Sequence, residues 1–229
     1  MSVRAGKDYL YLIWKSEKSR RQYIVGQLTK NGGYKFQYSN EVHDAIKDGF
    51  SPLLSFDDLE KTYSDEKLFS VFASRLPDRK RRDINKILEK YRLKEYDEYM
   101  LLKRSGARLP IDNLEFIDPI LDTDEANISR TFYIAGVRHY LNCKGEECSN
   151  AENVTRGDEI FLSREETNIY DKYAVKMLNA SGLLLGYVPR YYSKSISEIL
   201  EKGKHVSCHV YNVEKNRNCS ECIKVIMQI

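Results

Sequence analysis

The sequence predicts an α+β fold made of two successive domains. Short apolar runs with alternating or β-branched residues, such as Tyr9–Lys15 and Tyr34–Tyr38, indicate strands, whereas apolar residues spaced three and four apart indicate helices. The 229 residues are enough for two domains of roughly 100–120 residues, each able to bury its own core. We therefore expect a small antiparallel sheet with helices at residues 1–122 and a second, strand-rich domain at residues 123–229.

The first domain is predicted to begin with three strands. Tyr9–Lys15 comes first, and a hairpin formed by Gln22–Thr29 and Tyr34–Tyr38 follows. The turn of this hairpin contains Asn31-Gly32, and Asn-Gly between alternating strands is a strong hairpin signal. Near the end of the domain, Leu114–Ile117 is apolar enough to add an edge strand.

Helices are predicted after the hairpin. A short one covers Asn40–Lys47, and three more cover Asp65–Leu76, Arg81–Tyr91 and Glu95–Arg104. In each of these three, apolar residues recur on one face, and Pro77 ends the first of them because proline cannot continue a helix.

Several short motifs in this half resemble the N-terminal subdomain of HipA-type kinases, over about residues 10–120. They are Val25-Gly26-Gln27-Leu28, Gly49-Phe50, Leu68-Phe69, Phe72-Ala73, Arg75-Leu76-Pro77 and Leu101-Leu102. In those kinases the subdomain does not perform phosphoryl transfer, and it also occurs as a separate protein in three-part toxin–antitoxin operons. The resemblance implies an interaction module whose partner is a kinase-like or defence-system protein. The kinase motifs themselves are absent from the sequence, so we expect no kinase activity.

A connector is predicted between the two domains, from Arg108 to Ser129. It contains Pro110, Pro119 and a run of acidic residues, and it lacks apolar periodicity. The boundary is expected near Thr123–Ile128.

Six strands and one helix are predicted for the second domain. The strands are Thr131–Val137, Ile160–Leu162, Ala174–Leu178, Leu183–Val188, His205–Val213 and Ile223–Gln228. The helix covers Ser193–Lys202, with Ser193 as its N-cap and Gly203 after its end. Pro189 ends the pairing of the fourth strand because it has no backbone donor.

Two spaced motifs in this domain resemble those of the HIRAN domain, over about 95 residues from Phe132 onward. The patterns are Arg-x-x-x-Asn-x-x-Asp-x-x-Ala and Gly-Tyr/His-(Ile/Val/Leu)-x-(Arg/Lys), formed here by Arg164, Asn168, Asp171, Ala174, Gly186, Tyr187, Val188 and Arg190. The resemblance implies a small OB-like β-barrel with a short helix. It also implies DNA binding, because well-understood members hold the 3′ end of single-stranded DNA.

Nine residues in and around these motifs form the candidate nucleic-acid-binding set. They are Arg138, His139, Tyr140, Asn168, Tyr170, Asp171, Lys172, Tyr187 and Arg190. Aromatic rings stack on bases without sequence preference, and cations neutralise phosphates. A carboxylate accepts a hydrogen bond from a sugar hydroxyl and repels a phosphate, so the set favours a free strand end. The alternative is that Asn168 and Asp171 only build the turn and the tyrosines only cap the barrel.

One position departs from the family pattern. His139 stands where better-known HIRAN domains often have a larger aromatic residue. An imidazole ring stacks more weakly than a larger aromatic ring, so stacking at this position is expected to be reduced.

The most basic stretch of the chain is Arg79-Lys80-Arg81-Arg82. It is either a phosphate-binding surface or a solvated start of a helix, and the sequence alone favours the second interpretation because short basic runs are common. The whole chain has a net charge of only +3, which argues against a long basic arm along DNA.

Two pairs of cysteines are close in sequence. Cys143 with Cys148 and Cys219 with Cys222 can form a zinc site if the two segments meet, but four free thiols are the favoured interpretation, and Cys208 is expected in the core. We predict no other metal and no cofactor. The odd number of cysteines suits reduced thiols.

The predicted function is therefore non-enzymatic DNA binding. The first apolar run, Tyr9–Trp14, is too short for a signal peptide or a membrane span, so we expect a soluble, cytoplasmic protein without a membrane partner. No cluster of convergent acids suggests a metal-dependent nuclease. The leading hypothesis joins a C-terminal domain that binds single-stranded DNA ends to an N-terminal interaction module. The alternative is a toxin–antitoxin or defence-system factor that binds a kinase-like partner without recognising DNA ends.

Overall fold

The fold combines short helices with antiparallel sheets in both halves, so the predicted α+β class is confirmed. The computed structural model describes residues 8–120, 127–141, 154–214 and 221–229. The chain divides into two compact units, one ending at Pro119 and the other beginning at Ile120. The boundary expected at Thr123–Ile128 lies largely outside the described residues and stays a prediction.

The N-terminal unit contains a five-stranded antiparallel sheet in the order β4-β3-β2-β1-β5. Its strands are β1 (Tyr9–Lys15), β2 (Gln22–Lys30), β3 (Tyr34–Tyr38), β4 (Tyr63–Asp65) and β5 (Leu114–Ile117). The predicted hairpin is confirmed, and Gly32 in its turn has a φ of +68°, which glycine adopts without strain. The edge strand expected at Leu114–Ile117 pairs with β1.

Four helices accompany this sheet in the described residues 8–119. They are α1 (Val42–Lys47), α2 (Ser70–Ala73), α3 (Ile84–Lys90) and α4 (Glu98–Ser105). The long helix predicted at Asp65–Leu76 is wrong, since only four of its residues are helical. The carboxylate of Asp65 accepts from the backbone N–H of Lys67 at 2.9 Å, a local turn that competes with a helix, and Phe69 has the extended ψ of 135°.

The core of the N-terminal unit is an aromatic cluster on the sheet. The ring centroids of Phe36 and Phe56 are 4.4 Å apart. Those of Phe72 and Phe116 are 5.0 Å apart, and the two rings pack edge to face. At the rim of this core, Arg75 forms a bidentate ion pair with Asp112 and also donates to backbone carbonyls before and within β5. The Arg75-Leu76-Pro77 motif therefore ties the end of α2 to the last strand.

In its described residues, the C-terminal unit contains two three-stranded sheets, in the orders β10-β11-β6 and β7-β8-β9. The strands are β6 (Ser129–Tyr133), β7 (Phe161–Arg164), β8 (Val175–Leu178), β9 (Leu184–Tyr187), β10 (Ser207–Val213) and β11 (Ile223–Gln228), and the helices are α5 (Val137–Tyr140) and α6 (Arg190–Glu201). In place of the expected closed barrel, the described residues form two sheets joined by single bridges, Ala135 to Tyr187 and Glu159 to His209.

Helix α6 begins three residues earlier than predicted, at Arg190, and Pro189 occupies its N-cap position. The expectation that Ser193 is the N-cap is therefore wrong. Proline fixes its own φ near the helical value, which suits a helix start, and the Ser193 hydroxyl makes a tertiary contact described below. The helix packs through Tyr192, Ile196 and Ile199, all of which are buried.

Three of the four cysteines of the suggested zinc site, Cys143, Cys148 and Cys219, lie outside the described residues. Cys222 is buried immediately before β11. Within the described ranges no cluster of three or more potential metal ligands occurs. Cys208 is buried as expected, and burial raises the pKa of its thiol to about 12.

Helices long and apolar enough to cross a bilayer do not occur in the part of the chain that the structure describes.

The division into two units generates a prediction about proteolysis. Because each unit has its own core, brief digestion of the whole chain should produce two resistant fragments, cut between residues 119 and 131. Mass spectrometry of the fragments identifies the first cleavage site. A first cut inside the helical region at residues 65–104 would contradict two independently stable units.

Candidate nucleic-acid interface

One bridge brings the ends of the two C-terminal sheets together. The N–H of Ala135 donates to the carbonyl of Tyr187 at 2.8 Å, and the N–H of Tyr187 donates back to the carbonyl of Ala135 at 2.9 Å. Helix α5 begins two residues after Ala135. As a result, the ring of Tyr140 lies 5.4 Å from the ring of Tyr187, and two of the nine candidate residues form one aromatic surface.

The Glu165 carboxylate joins this surface to the neighbouring loop. It accepts from the amide of Asn168 at 2.7 Å and from the hydroxyl of Tyr187 at 2.7 Å, and it lies 2.6 Å from the ammonium of Lys176. The hydrogen bond from Lys176, then those from Asn168 and Tyr187, and last the charge of Lys176, lower the pKa of Glu165 to about 2. The carboxylate is therefore ionised at any neutral pH and holds three side chains at once.

Sequence reasoning missed Glu165 and Lys176. Lys176 is paired across the strands with Tyr187, and Glu165 directly follows β7. The signal in the sequence is a pair of opposite charges on neighbouring strands. This pair can be recognised only when the pairing of the strands is known. Burial, and then the hydrogen bond to Glu165, raise the pKa of Tyr187, so its phenol remains a donor.

The loop after β7 is built by Asn168 and Asp171. The side-chain oxygen of Asn168 accepts from the backbone N–H groups of Tyr170 at 2.9 Å and Asp171 at 3.0 Å. One oxygen of Asp171 accepts from the N–H of Tyr173 at 2.9 Å. Both residues thus have the turn-building role of the alternative interpretation. The same bonds fix the tip of the loop, where the Tyr170 side chain is 87% exposed.

The second oxygen of Asp171 reaches helix α6. It accepts from the hydroxyl of Ser193 at 2.7 Å, and the same hydroxyl lies 3.0 Å from the carbonyl of Arg190. The Asp171 loop is thereby attached to the first turn of the helix. An ionised carboxylate has about four acceptor positions, so Asp171 retains capacity for a ligand hydroxyl.

Two other motif residues stabilise the strands and the helix that carry the site. The guanidinium of Arg164 donates to Ser197 at 3.1 Å and pairs with Glu201 at 3.5 Å, which connects β7 to α6. Gly186 has a φ of +152°, and a Cβ at that position would overlap the carbonyl oxygen of Ala135. The motif therefore needs glycine there because the two sheets approach each other at the bridge.

The remaining candidates lie on exposed surfaces around this network. Arg138 and His139 are exposed on α5, and Arg190 is exposed at the start of α6. The ammonium of Lys172 lies 4.9 Å above the ring of Tyr173, and that of Lys194 lies 5.8 Å from the same ring. Among the described contacts, Arg138, His139 and Lys172 are not joined to the Glu165 network. Tyr173 and Lys194 were not predicted as site residues.

Comparison with known families matches a different family model to each half of the chain. The model of the HIRAN domain matches residues 129–229, and the model of the HipA N-terminal domain matches residues 20–110. Both resemblances drawn from the sequence motifs are confirmed. The HIRAN match includes every residue of the candidate site, and it supports nucleic-acid recognition as the general function of this unit.

Individual relatives are distant. The chain is 27% identical over 81 residues to a Fanconi-associated nuclease 1 homolog of Arabidopsis thaliana; the match covers 35% of this chain and 8% of that protein. Among solved structures, the HIRAN domain of human HLTF is 20% identical, with 44% of this chain and 73% of that chain covered and a TM-score of 0.35. A protein from Lactobacillus plantarum is 17% identical, with 45% and 100% covered and a TM-score of 0.34.

The Glu165 network generates a prediction about acid stability. The pKa of Glu165 is lowered from 4.5 to about 2 in the folded protein, so its stabilising contribution is complete above about pH 4.5 and disappears as the pH falls towards 2. Glu165→Gln should therefore destabilise the C-terminal unit by a constant amount above about pH 4.5, and the difference from the parent should shrink at lower pH.

Chemical denaturation at several pH values measures this difference. Glu166→Gln is the matched control, because Glu166 is the adjacent, 72% exposed acid. A difference between Glu165→Gln and the parent that does not change between pH 7 and pH 2.5 would contradict the network.

The close approach at Gly186 generates a second prediction. Gly186→Ala combines a strained φ with overlap of the Ala135 carbonyl, so it should lower the free energy of unfolding by about 3 kcal/mol or more. Gly182→Ala is the control, since Gly182 has a φ of +80° but open space around its Cβ position, and it should cost about 1–2 kcal/mol. If the two variants lost the same free energy of unfolding, the bridge between Ala135 and Tyr187 would not require glycine at position 186.

Proposed function

We propose that the C-terminal unit binds the 3′ end of single-stranded DNA and performs no chemistry on it. The observation that carries the proposal is the Asp171 loop, in which a carboxylate is fixed by Ser193 and a backbone N–H beside the exposed ring of Tyr170. The HIRAN match supports nucleic acid as the ligand class.

Each part of the loop has a separate task in this proposal. The Tyr170 ring stacks on the terminal base, and the attraction depends little on which base it is. The remaining acceptor positions of Asp171 receive the 3′-hydroxyl. A continuing strand or a 3′-phosphate would place negative charge against this carboxylate, so the loop favours a free end.

The cations around the loop complete the binding surface. Arg190 begins α6 one turn before Ser193, and Lys172 follows Asp171 in the chain, so we assign both to the phosphates before the last nucleotide. The tilted pair of Tyr140 and Tyr187 offers a second aromatic surface near His139. Because only these two cations, Lys172 and Arg190, are assigned to phosphates here, the salt dependence of end binding is expected to be shallow.

A binding role is favoured over catalysis by how the acids of the site are used. Glu165 accepts two hydrogen bonds and pairs with Lys176, and Asp171 accepts two hydrogen bonds, all from the protein itself. Carboxylates held in this way position neighbouring groups. The similarity to the nuclease homolog covers 8% of that protein, and we do not extend its activity to this chain.

An interaction factor is the second candidate function. The N-terminal unit has an open groove of about 570 Å³ between the ends of β1 and β5 and the segment after α1. Trp14, Phe50 and Ile111 contribute apolar surface to it, and Ile111 is 87% exposed. A groove that combines apolar side chains with charged ones such as Glu17 and Asp48 suits a protein segment, and the HipA resemblance implies a kinase-like or defence-system protein as its source. This role is compatible with end binding by the other unit.

The proposal predicts a preference for a free 3′-hydroxyl. Adding a 3′-phosphate removes a hydrogen bond to a charged group, worth about 1.5–3 kcal/mol, so affinity should fall at least tenfold. Tyr170→Ala should weaken binding of the hydroxyl form by about 1–3 kcal/mol through lost stacking. Competition fluorescence anisotropy with short oligonucleotides of one sequence measures both effects.

The matched control is Tyr211→Ala, which removes another partly exposed tyrosine of the same unit, on β10. It should leave binding unchanged. Equal affinity for the two 3′ ends, or equal effects of the two tyrosine variants, would reject end recognition and favour the interaction factor.

A further inference from the structure

The N-terminal unit contains a strongly basic segment that has no role in the function proposed above. We define the basic segment as residues 78–95, which include α3. It has eight lysine and arginine residues against four acids, so its net charge of +4 exceeds the +3 of the whole chain. All eight cationic residues are exposed: Arg79, Lys80, Arg81, Arg82, Lys86, Lys90, Arg92 and Lys94.

Most of these cations are not neutralised by the protein. Arg81 forms an ion pair with Asp83 at 2.7 Å. Within the described residues, the other seven take part in no ion pair, although Arg79 lies over the ring of Tyr96 and Lys90 over the ring of Tyr91. The positive charge therefore faces solvent.

The spacing of the cations opposes helix stability. Lys86 and Lys90 are four residues apart on α3, which places them on one face about 6 Å apart along the axis. Like charges at this spacing destabilise a helix. Glu89, three residues after Lys86, offsets part of this repulsion, but the acids of residues 78–95 are only half as many as the cations, so a net positive charge remains to bind an anion.

The segment is held in a fixed shape. The hydroxyl of Tyr96 donates to the carbonyl of Pro77 at 2.8 Å, which closes the base of the segment. Arg104 donates to the carbonyls of Tyr91 and Arg92, both at 2.7 Å, and Leu88 is buried beneath α3. The backbone that carries the cations is thus ordered before any ligand binds, which reduces the entropy lost on binding.

We propose that the basic segment is a second DNA-binding surface, which contacts the phosphate backbone and does not require a strand end. Several unpaired cations along one segment match a regular array of phosphates, and their binding is driven by release of counterions. An anionic membrane is a poorer match, because attachment to lipid by a basic helix also requires exposed apolar side chains. The exposed large apolar residues of the described chain all lie outside residues 78–95.

Closed circular single-stranded DNA is the probe that isolates this surface, because it has no 3′ end. The variant replaces Lys80, Arg82, Lys86 and Lys90 by glutamine in the full chain. The control replaces four exposed lysines elsewhere in the same unit, Lys18, Lys35, Lys61 and Lys67, by glutamine, so that both proteins lose the same net charge. Binding is measured by titration at several salt concentrations.

The basic-segment variant should bind the circle at least tenfold more weakly at low salt, and the slope of log affinity against log salt should fall by about two to three units. The control should remain close to the parent. Tyr170→Ala should bind the circle as tightly as the parent does, although it should bind 3′ ends more weakly. A failure of the basic-segment proposal can therefore be distinguished from a failure of the 3′-end proposal. Equal losses in the variant and the control would overturn the proposal. The proposal would also be overturned if vesicles containing anionic lipid bound the parent protein as tightly as the circle does and competed with the circle for binding.

Discussion

The candidate site depends on the carboxylate of Glu165, which is assigned no contact with the ligand. Glu165 holds Asn168, Tyr187 and Lys176 through contacts of 2.6–2.7 Å. Asn168 in turn fixes the loop that carries Asp171 through two backbone hydrogen bonds. The geometry of the loop, the direction of the Tyr187 ring and the pairing of β8 with β9 are therefore coupled through a single ionised group, and a site with three such bonds is rigid before a ligand arrives.

The family motif acquires a physical meaning from these contacts. Its arginine, alanine and glycine hold structure: Arg164 connects β7 to α6, Ala174 is buried, and Gly186 allows the two sheets to meet. Asn168 and Asp171 build the turn as well as lining the surface. The two interpretations weighed from the sequence, turn-building and ligand binding, are thus compatible, because the bonds that build the turn leave acceptor positions on Asp171.

The sequence was most informative where local signals agree with the tertiary structure. The Asn-Gly hairpin and the final strand Ile223–Gln228 were predictable from alternation and turn chemistry alone. The helix expected at Asp65–Leu76 failed because a turn at Asp65 and aromatic packing of Phe69 outweigh the helical pattern. The N-cap of α6 was misplaced for a similar reason, since the Ser193 hydroxyl serves the distant Asp171. Long-range contacts such as those of Glu165 require strand register, which one sequence does not reveal.

In the proposed function, the Asp171 loop receives a terminal nucleotide. The most direct measurement is backbone-amide NMR of the protein titrated with a short oligonucleotide that ends in a 3′-hydroxyl. End binding should produce saturable shifts of the amide signals of Tyr170, Asp171, Tyr187 and Arg190, and these shifts should become smaller when the 3′ end is phosphorylated. Shifts confined to the N-terminal unit, with the signals of residues 168–172 unchanged at saturation, would contradict the proposed function.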